Sequence, residues 1–333
     1  MPDFTLDTYK KLLKAFLNAD YSFRTFAQYL EEPGGRFIIL RHDVDAKKLN
    51  SLETALIENK LGITGTYYFR IVPDSFDGEI IRQISDLGHE IGYHYEDVSM
   101  ISMRELRRFQ GGGRIKNNGS GSEENRQEEK CEKSRKESVA SGKNQKRDEM
   151  EKQLARLAFA SFRENLRIFQ RIVPVKTICM HGSPLSRRDN RLLWKYYDYR
   201  KLGIRGEPYF DLNFADVLYL TDTGRRWDGE SVSIRDKKPA EKGHSSPEGS
   251  GFSHKSADNT LNYKQPFNGH RIPSLHSSFD IIRAAQANYL PDRIMITVHP
   301  QRWTNKPLPW LRELIWQNVK NTGKWALARV RGR

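Results

Sequence analysis

Nine histidines and two acid-rich clusters carry most of the chemistry this 333-residue chain could perform. The first cluster is Arg41-His42-Asp43-Val44-Asp45, directly after the apolar run Phe37-Ile38-Ile39-Leu40. Side chains alternate along a strand, so Asp43 and Asp45 point to the same side. Two carboxylates that close repel unless a cation or a proton sits between them. One can therefore ligate a metal while the other stays a base. The competing reading is a helix start, with Asp45 capping residues 46–60. The second cluster is Gly88-His89-Glu90-Ile91-Gly92-Tyr93-His94-Tyr95-Glu96-Asp97. It is not the zinc-protease motif, which needs two histidines four apart around a Glu on a helix. Here the spacing is five and a glycine, Gly92, interrupts. A strand through this segment puts His94 at its exit, with Glu96 and Asp97 just beyond.

Positioning those residues requires strands. Short apolar runs rich in β-branched or aromatic residues lie at 36–40, 64–71, 89–94, 175–180, 216–220 and 293–298. They read as buried strands. Amphipathic helices fit between them at 49–60, 78–87, 154–170 and 280–287. Two more, at 6–17 and 21–29, precede the first strand, and one at 310–319 follows the last. Alternating strands and helices call for a mainly parallel sheet or barrel. His42, His89, His94, His181 and His299 all fall at strand ends, where such folds build their sites. Two of these five are expected to be structural. His244, His254 and His270 lie in or beside polar segments, and His276 opens a helix.

Two stretches, 111–153 and 237–265, are rich in Gly, Ser, Lys and Glu and hold too few apolar residues to offset the entropy of ordering them. They read as solvated insertions in surface loops, with a helix starting from about Arg147 in the first. Without them about 260 residues remain, the size of one α/β barrel rather than two domains. The expected fold is therefore α/β, a single deformed (β/α) barrel over 1–333 with two N-terminal helices and two polar loop insertions. Residues 304–333 add an amphipathic helix and a basic tail.

Three strings together resemble the polysaccharide deacetylases, the NodB-homology fold of carbohydrate esterase family 4. They are Asp43-Val-Asp45, Gly88-His-Glu-Ile-Gly-Tyr-His94 and Thr297-Val-His299. The likeness spans about residues 36–300 without the insertions, and the Gly-His-Glu-Ile-Gly-x-His string is its most specific part. It implies Asp43 as base, Asp45 and His94 as metal ligands, and His299 as general acid. The family's second motif has another metal His four residues after the first, where this chain has Val98. Its usual Arg-Pro-aromatic segment is replaced by Met180-His181-Gly182-Ser183-Pro184. One His lost and one gained suggests His181 as third ligand, with Glu96 and Asp97 as rivals. An Asp/His/His set suits Zn²⁺, and a pocket richer in oxygen admits other divalent ions. The segment Thr221–Asp228 follows a strand, and its Asp222, Arg226 and Trp227, with Arg302 after the last strand, fit a substrate surface, or equally a turn with a packing Trp and an Arg held by an acid partner.

The implied activity is metal-dependent removal of an acetyl group from an N-acetylated sugar or glycan precursor. Two alternatives stand beside it: another C–N hydrolase acting on a small amide, and a glycan-binding barrel without turnover. A net charge of +14 invites a nucleic-acid reading, but no helix-turn-helix or zinc-finger signature supports it. The insertions hold little of that charge. The tail Lys320–Arg333 has basic residues and no acid, so helix and tail could touch an anionic membrane surface. Helix packing on the barrel is the plainer alternative. No apolar run reaches the roughly 20 residues of a membrane span. The start, Met1-Pro2-Asp3-Phe4, lacks a signal-peptide pattern, and Cys131 and Cys179 cannot form a disulfide framework. These features fit a cytoplasmic protein, at the membrane's inner face where the tail engages it.

Overall fold

The computed structural model describes residues 2–102, 131–182, 188–227 and 274–331. In chain order the elements are α1 (Leu6–Leu17), β1 (Ser22–Arg24), α2 (Phe26–Glu31), β2 (Phe37–Val44), α3 (Lys48–Lys60) and β3 (Thr66–Phe69). There follow α4 (Gly78–Asp86), β4 (Glu90–Tyr95), α5 (Asp97–Met100), α6 (Cys131–Gln170) and β5 (Ile178–Met180). The last are α7 (Leu193–Tyr196), α8 (Pro208–Asp211), β6 (Leu218–Thr221), α9 (Ser278–Gln286), β7 (Arg293–Val298) and α10 (Pro307–Arg331).

All strand pairings are parallel, in the order β5-β4-β3-β2-β7-β6, with β1 also paired to β2. The sheet curls into a half-barrel with flanking helices, compatible with an α/β barrel. Parallel strands covered on both faces need apolar side chains on both, and every residue of β2 is buried. Ile38 and Leu40 join Tyr9, Leu12 and Phe16 of α1 on one face. Phe37 and Ile39 join Phe26, Tyr29 and Met295 on the other. Helix starts are fixed locally: the Thr5, Asp77 and Ser277 side chains accept backbone N–H groups at the starts of α1, α4 and α9.

Four elements differ from the sequence reading. Residues 21–29 are not one helix. Ser22–Arg24 pair with Phe37–Ile39, and the Thr25–Gln28 capping box starts α2 only afterwards. Asp45 caps nothing: α3 is preceded by Lys47 in the left-handed region, with no side-chain cap. The C-terminal helix runs well past 319, to Arg331. Residues from Cys131 onward are helical, so the end of the 111–153 segment belongs to α6. The rest of that segment and 237–265 lie outside the described residues, as do His244, His254 and His270.

The chain forms two compact units. Met1–Tyr95, Leu166–Leu185 and Tyr199–Arg333 make the first, which contains the whole sheet. Glu96–Asn165 and Ser186–Asp198 make the second. Within the second, Phe159 stacks on Tyr197 at 3.7 Å and Phe162 meets Trp194 edge-on at 5.0 Å. The Asp97 carboxylate there accepts from Ser161 Oγ at 2.6 Å and Asn165 Nδ2 at 2.8 Å.

Register places the chemistry. Arg41 is opposite Thr297 and His42 opposite Val298, so Asp43 and His299 leave β2 and β7 at one level. His94 is opposite Cys179, which sets His181 just beyond the end of β5. Gly92 faces Tyr68 across β3 and β4. A Cβ there would lie 2.3 Å from the Tyr68 ring and 2.8 Å from the Thr177 carbonyl, so packing alone demands this glycine.

Candidate metal centre

Asp45, His94 and His181 converge at the carboxyl ends of β2, β4 and β5. Asp45 Oδ1 lies 3.2 Å from His181 Nδ1 and 3.6 Å from His94 Nε2, and the two imidazole nitrogens are 3.3 Å apart. His94 is buried, and its Nδ1 faces the Cys179 carbonyl at 3.0 Å. An N–H donated there leaves Nε2 with its lone pair aimed at Asp45. Gln301 Nε2 donates to Asp45 Oδ2 at 3.2 Å, while Oδ1 is buried and receives no hydrogen bond of good geometry. Burial raises the Asp45 pKa, but facing His181, His94 and His299 lowers it more, and the carboxyl is held well below its usual range. An ionised, underused oxygen beside two imidazole nitrogens is a donor set that fits a divalent cation, and O/N/N is a ligand set Zn²⁺ accepts. Among the described residues a second grouping, Asp43, His94 and Cys179, also comes together. It is poorer, because both Asp43 oxygens already accept from Arg41.

Two supported side chains flank the cluster. Arg41 Nε donates to Asp43 Oδ1 at 2.8 Å and an Arg41 terminal nitrogen to Oδ2 at 2.6 Å, both residues being buried. Burial pushes the Asp43 pKa up, yet Arg41 and His94 outweigh it and keep the carboxylate ionised. Asp43 Oδ2 sits 3.7 Å from His94 Nε2. On the other side, His299 Nδ1 meets Asp222 Oδ1 at 2.6 Å, and the His299 backbone N–H donates to Asp222 Oδ2 at 3.0 Å. His299 Nε2 points inward, 3.9 Å from Asp45 Oδ2. Asp222 also accepts from Trp303 Nε1 at 2.8 Å and from Arg302. Burial opposes its charge, but Arg302 and His299 bring its pKa down to about 2.

These residues open on one cavity of about 1430 Å³, lined also by Lys47, Arg70, Thr223 and one side of α10. No family model, curated protein or solved structure matches the chain. What the centre can do therefore rests on its own geometry: cation binding by Asp45, His94 and His181, with a fixed carboxylate and a fixed imidazole on either side.

The other residues singled out in the sequence take different places. Asp222 has no exposed side-chain surface and acts on the cavity through His299 and Arg302. Arg302 lines the cavity but is tied to Asp222, through both its carboxylate and its carbonyl. Trp227 is buried in the apolar core and donates to Ser278 Oγ at 2.9 Å, so it offers no face to a substrate. Arg226 is exposed and lines a separate cavity beside Asp3 and His276. Of the rivals for third ligand, Asp97 is engaged by Ser161 and Asn165, and neither it nor Glu96 joins a metal grouping among the described residues.

Arg41 and Gln301 were missed. Arg41 was readable, since residues two apart on a strand share a face. Gln301 lies in the one-turn 3₁₀ segment Pro300–Arg302, and nothing local marks it.

His42 and His89 form a second cluster on the opposite face of β2. His42 Nε2 is 2.9 Å from Glu58 Oε1, which also accepts from Tyr9 Oη at 2.6 Å and Tyr67 Oη at 2.8 Å. The His42 ring stacks on Tyr67 at 3.9 Å. His89 Nδ1 accepts from the Gly65 N–H at 3.1 Å and its Nε2 faces the Ala55 carbonyl at 3.2 Å. Burial opposes the Glu58 charge, and His42, His89 and Tyr9 more than restore it. Burial also pushes the Tyr9 and Tyr67 hydroxyls up and the His89 pKa down.

Proposed function

We propose that the protein is a metal-dependent hydrolase that removes an acetyl group from an N-acetylated sugar or glycan precursor, on a NodB-type barrel. One observation carries this reading. A carboxylate with two imidazoles lies between a guanidinium-held aspartate and an aspartate-held histidine, all on one cavity. The strings that resemble the deacetylases contribute Asp43, Asp45, His94 and His299 of this set.

Asp45, His94 and His181 would hold the cation, most simply Zn²⁺. Bound there, it would supply Lewis-acid polarisation and lower the pKa of water. Asp43, ionised and fixed by Arg41, takes the proton from water as the water's oxygen attacks the acetamide carbonyl. Arg41 holds the carboxylate without rotamer search. His299 Nε2 delivers a proton to the nitrogen as the C–N bond breaks, and Asp222 stabilises the imidazolium form required. The products are acetate and a free amine, and the net reactant besides substrate is one water.

The test is acetate release from N-acetylated mono- and oligosaccharides by metal-loaded and chelator-treated protein. Metal-dependent release is expected. Asp43→Asn should lower it by at least about a hundredfold while leaving metal content unchanged. Full activity in that variant would sink the base assignment. Metal binding with release from small amides only would favour the alternative C–N hydrolase. No release from any substrate, with sugar binding retained, would favour the glycan-binding barrel.

A further inference from the structure

Helix α10 is amphipathic in the reverse of the usual sense. Its inward side, the half-buried Trp310 and Leu314 apart, is polar and bonded to the rest of the first unit. Trp310 Nε1 donates to the Asp3 carbonyl at 2.7 Å, and Glu313 pairs with Lys47 Nζ at 2.9 Å. Gln317 Nε2 donates to Glu313 Oε1 at 2.8 Å, and Asn321 Nδ2 to the Gly224 carbonyl at 3.0 Å. Its outward stripe is apolar. Leu308 is 80% exposed, Ile315 57%, Trp316 53% and Val319 57%. Leu311, at 47%, completes a stripe with helical spacing over 308, 311, 315 and 319. A helix that turns polar groups inward and apolar groups outward has an unpartnered apolar face.

Charge says what covers it. Lys306, Arg312 and Lys320 accompany the apolar residues along the cavity wall, and Lys320 Nζ lies 5.1 Å from the Trp316 ring centroid. Glu313, already paired with Lys47, is the sole acid of α10, and from Lys320 onward the sequence is basic without an acid. Apolar side chains with a Trp, ringed by cations, match an anionic bilayer: acyl chains beneath and negative head groups around. A protein partner would also need acidic groups placed one by one, whereas a bilayer supplies them everywhere. We infer that α10 docks its Leu308–Val319 face on an anionic membrane surface, with the mouth of the metal-centre cavity beside the contact. This is independent of whether the centre turns over a substrate.

The experiment is co-sedimentation of the full chain with phosphatidylcholine vesicles, with and without phosphatidylglycerol. Partitioning at least about tenfold stronger into the phosphatidylglycerol vesicles is expected, weakening with salt. The exposed double variant Ile315→Ser/Trp316→Ser should lower it about tenfold, with thermal unfolding unchanged. Lys320→Gln should lower it about fivefold. Equal binding to both vesicle types, or binding of the double variant as strong as that of the parent, would overturn the proposal. So would failure to bind together with a dimer, seen by sedimentation equilibrium, that the double variant dissociates. In that case a second copy covers the face.

Discussion

The two faces of β2 each carry an acid–histidine cluster, and they differ in access rather than in residue type. Glu58 with His42 and His89 is sealed, with no exposed side-chain surface. Asp45 with His94 and His181 opens on a large cavity, and the Asp45 side chain is 24% exposed. Each has one buried carboxylate oxygen without a hydrogen bond. Around Glu58, however, His89 Nδ1 is already committed to a backbone N–H, and three donors saturate Oε1. Around Asp45, His94 Nε2 and His181 Nδ1 face the carboxylate and each other within 3.6 Å. His94 differs from His89 in that one ring nitrogen is fixed by the backbone and the other faces the cavity, whereas both of His89's face backbone groups.

The strongest way to break that contrast is Glu58→Ala. It leaves two tyrosine hydroxyls and His42 buried without their acceptor, so about 3–5 kcal/mol of stability should be lost in urea unfolding. Metal affinity of the folded fraction should not change. The reverse result, with stability kept and metal lost, would mean the clusters had been assigned to the wrong roles. Asp45→Ala should do the opposite. Zn²⁺ affinity measured against a competing chelator should fall by at least about a hundredfold, with stability altered by under about 1 kcal/mol.

Acid sharpens the picture further. Asp222 has a folded pKa lowered to about 2, below its unfolded value. The unfolded state therefore binds the proton first. The contribution, about 2 kcal/mol, is full above about pH 4 and is lost as pH falls toward 2. Urea midpoints followed over that range should fall more steeply in the parent than in Asp222→Asn. Least of all, Arg226→Ala should change stability by less than about 0.5 kcal/mol and leave metal affinity alone, because it lies outside the metal-centre cavity. A large loss of metal affinity there would place substrate and metal in a different cavity.

Much of the barrel was legible because buried parallel strands leave continuous apolar runs. Phe37–Leu40 and Arg293–Val298 announce β2 and β7, and alternation along β2 puts Asp43 and Asp45 on one side. His181 was legible only as a substitute for the histidine that Val98 replaces. What was not legible depends on contacts far apart in the chain. β1 has three residues and exists because it pairs with β2. For Asp222–Trp227 the sequence leaves a substrate surface and a turn with a packing Trp equally open, and the second holds because His299, Trp303 and Ser278 reach Asp222 and Trp227. The periodicity of 310–319 gave a helix but not which stripe would face inward, since that depends on Lys47, Asp3 and Gly224.

The alternation along β2 has a consequence for how the chain finds its fold. Arg41 and Asp43 face one side while His42 and Val44 face the other. A slip of one residue against β3 and β7 would turn Asp43 toward the sealed face of Glu58, Tyr9 and Tyr67 and send His42 to the cavity. The Arg41–Asp43 pair would turn together, losing His94 and coming to lie against a second buried carboxylate, Glu58, at a cost of several kcal/mol. The charged side chains that make the centre thus also act as a check on strand alignment during folding, and misregistered molecules are selected against before any metal arrives.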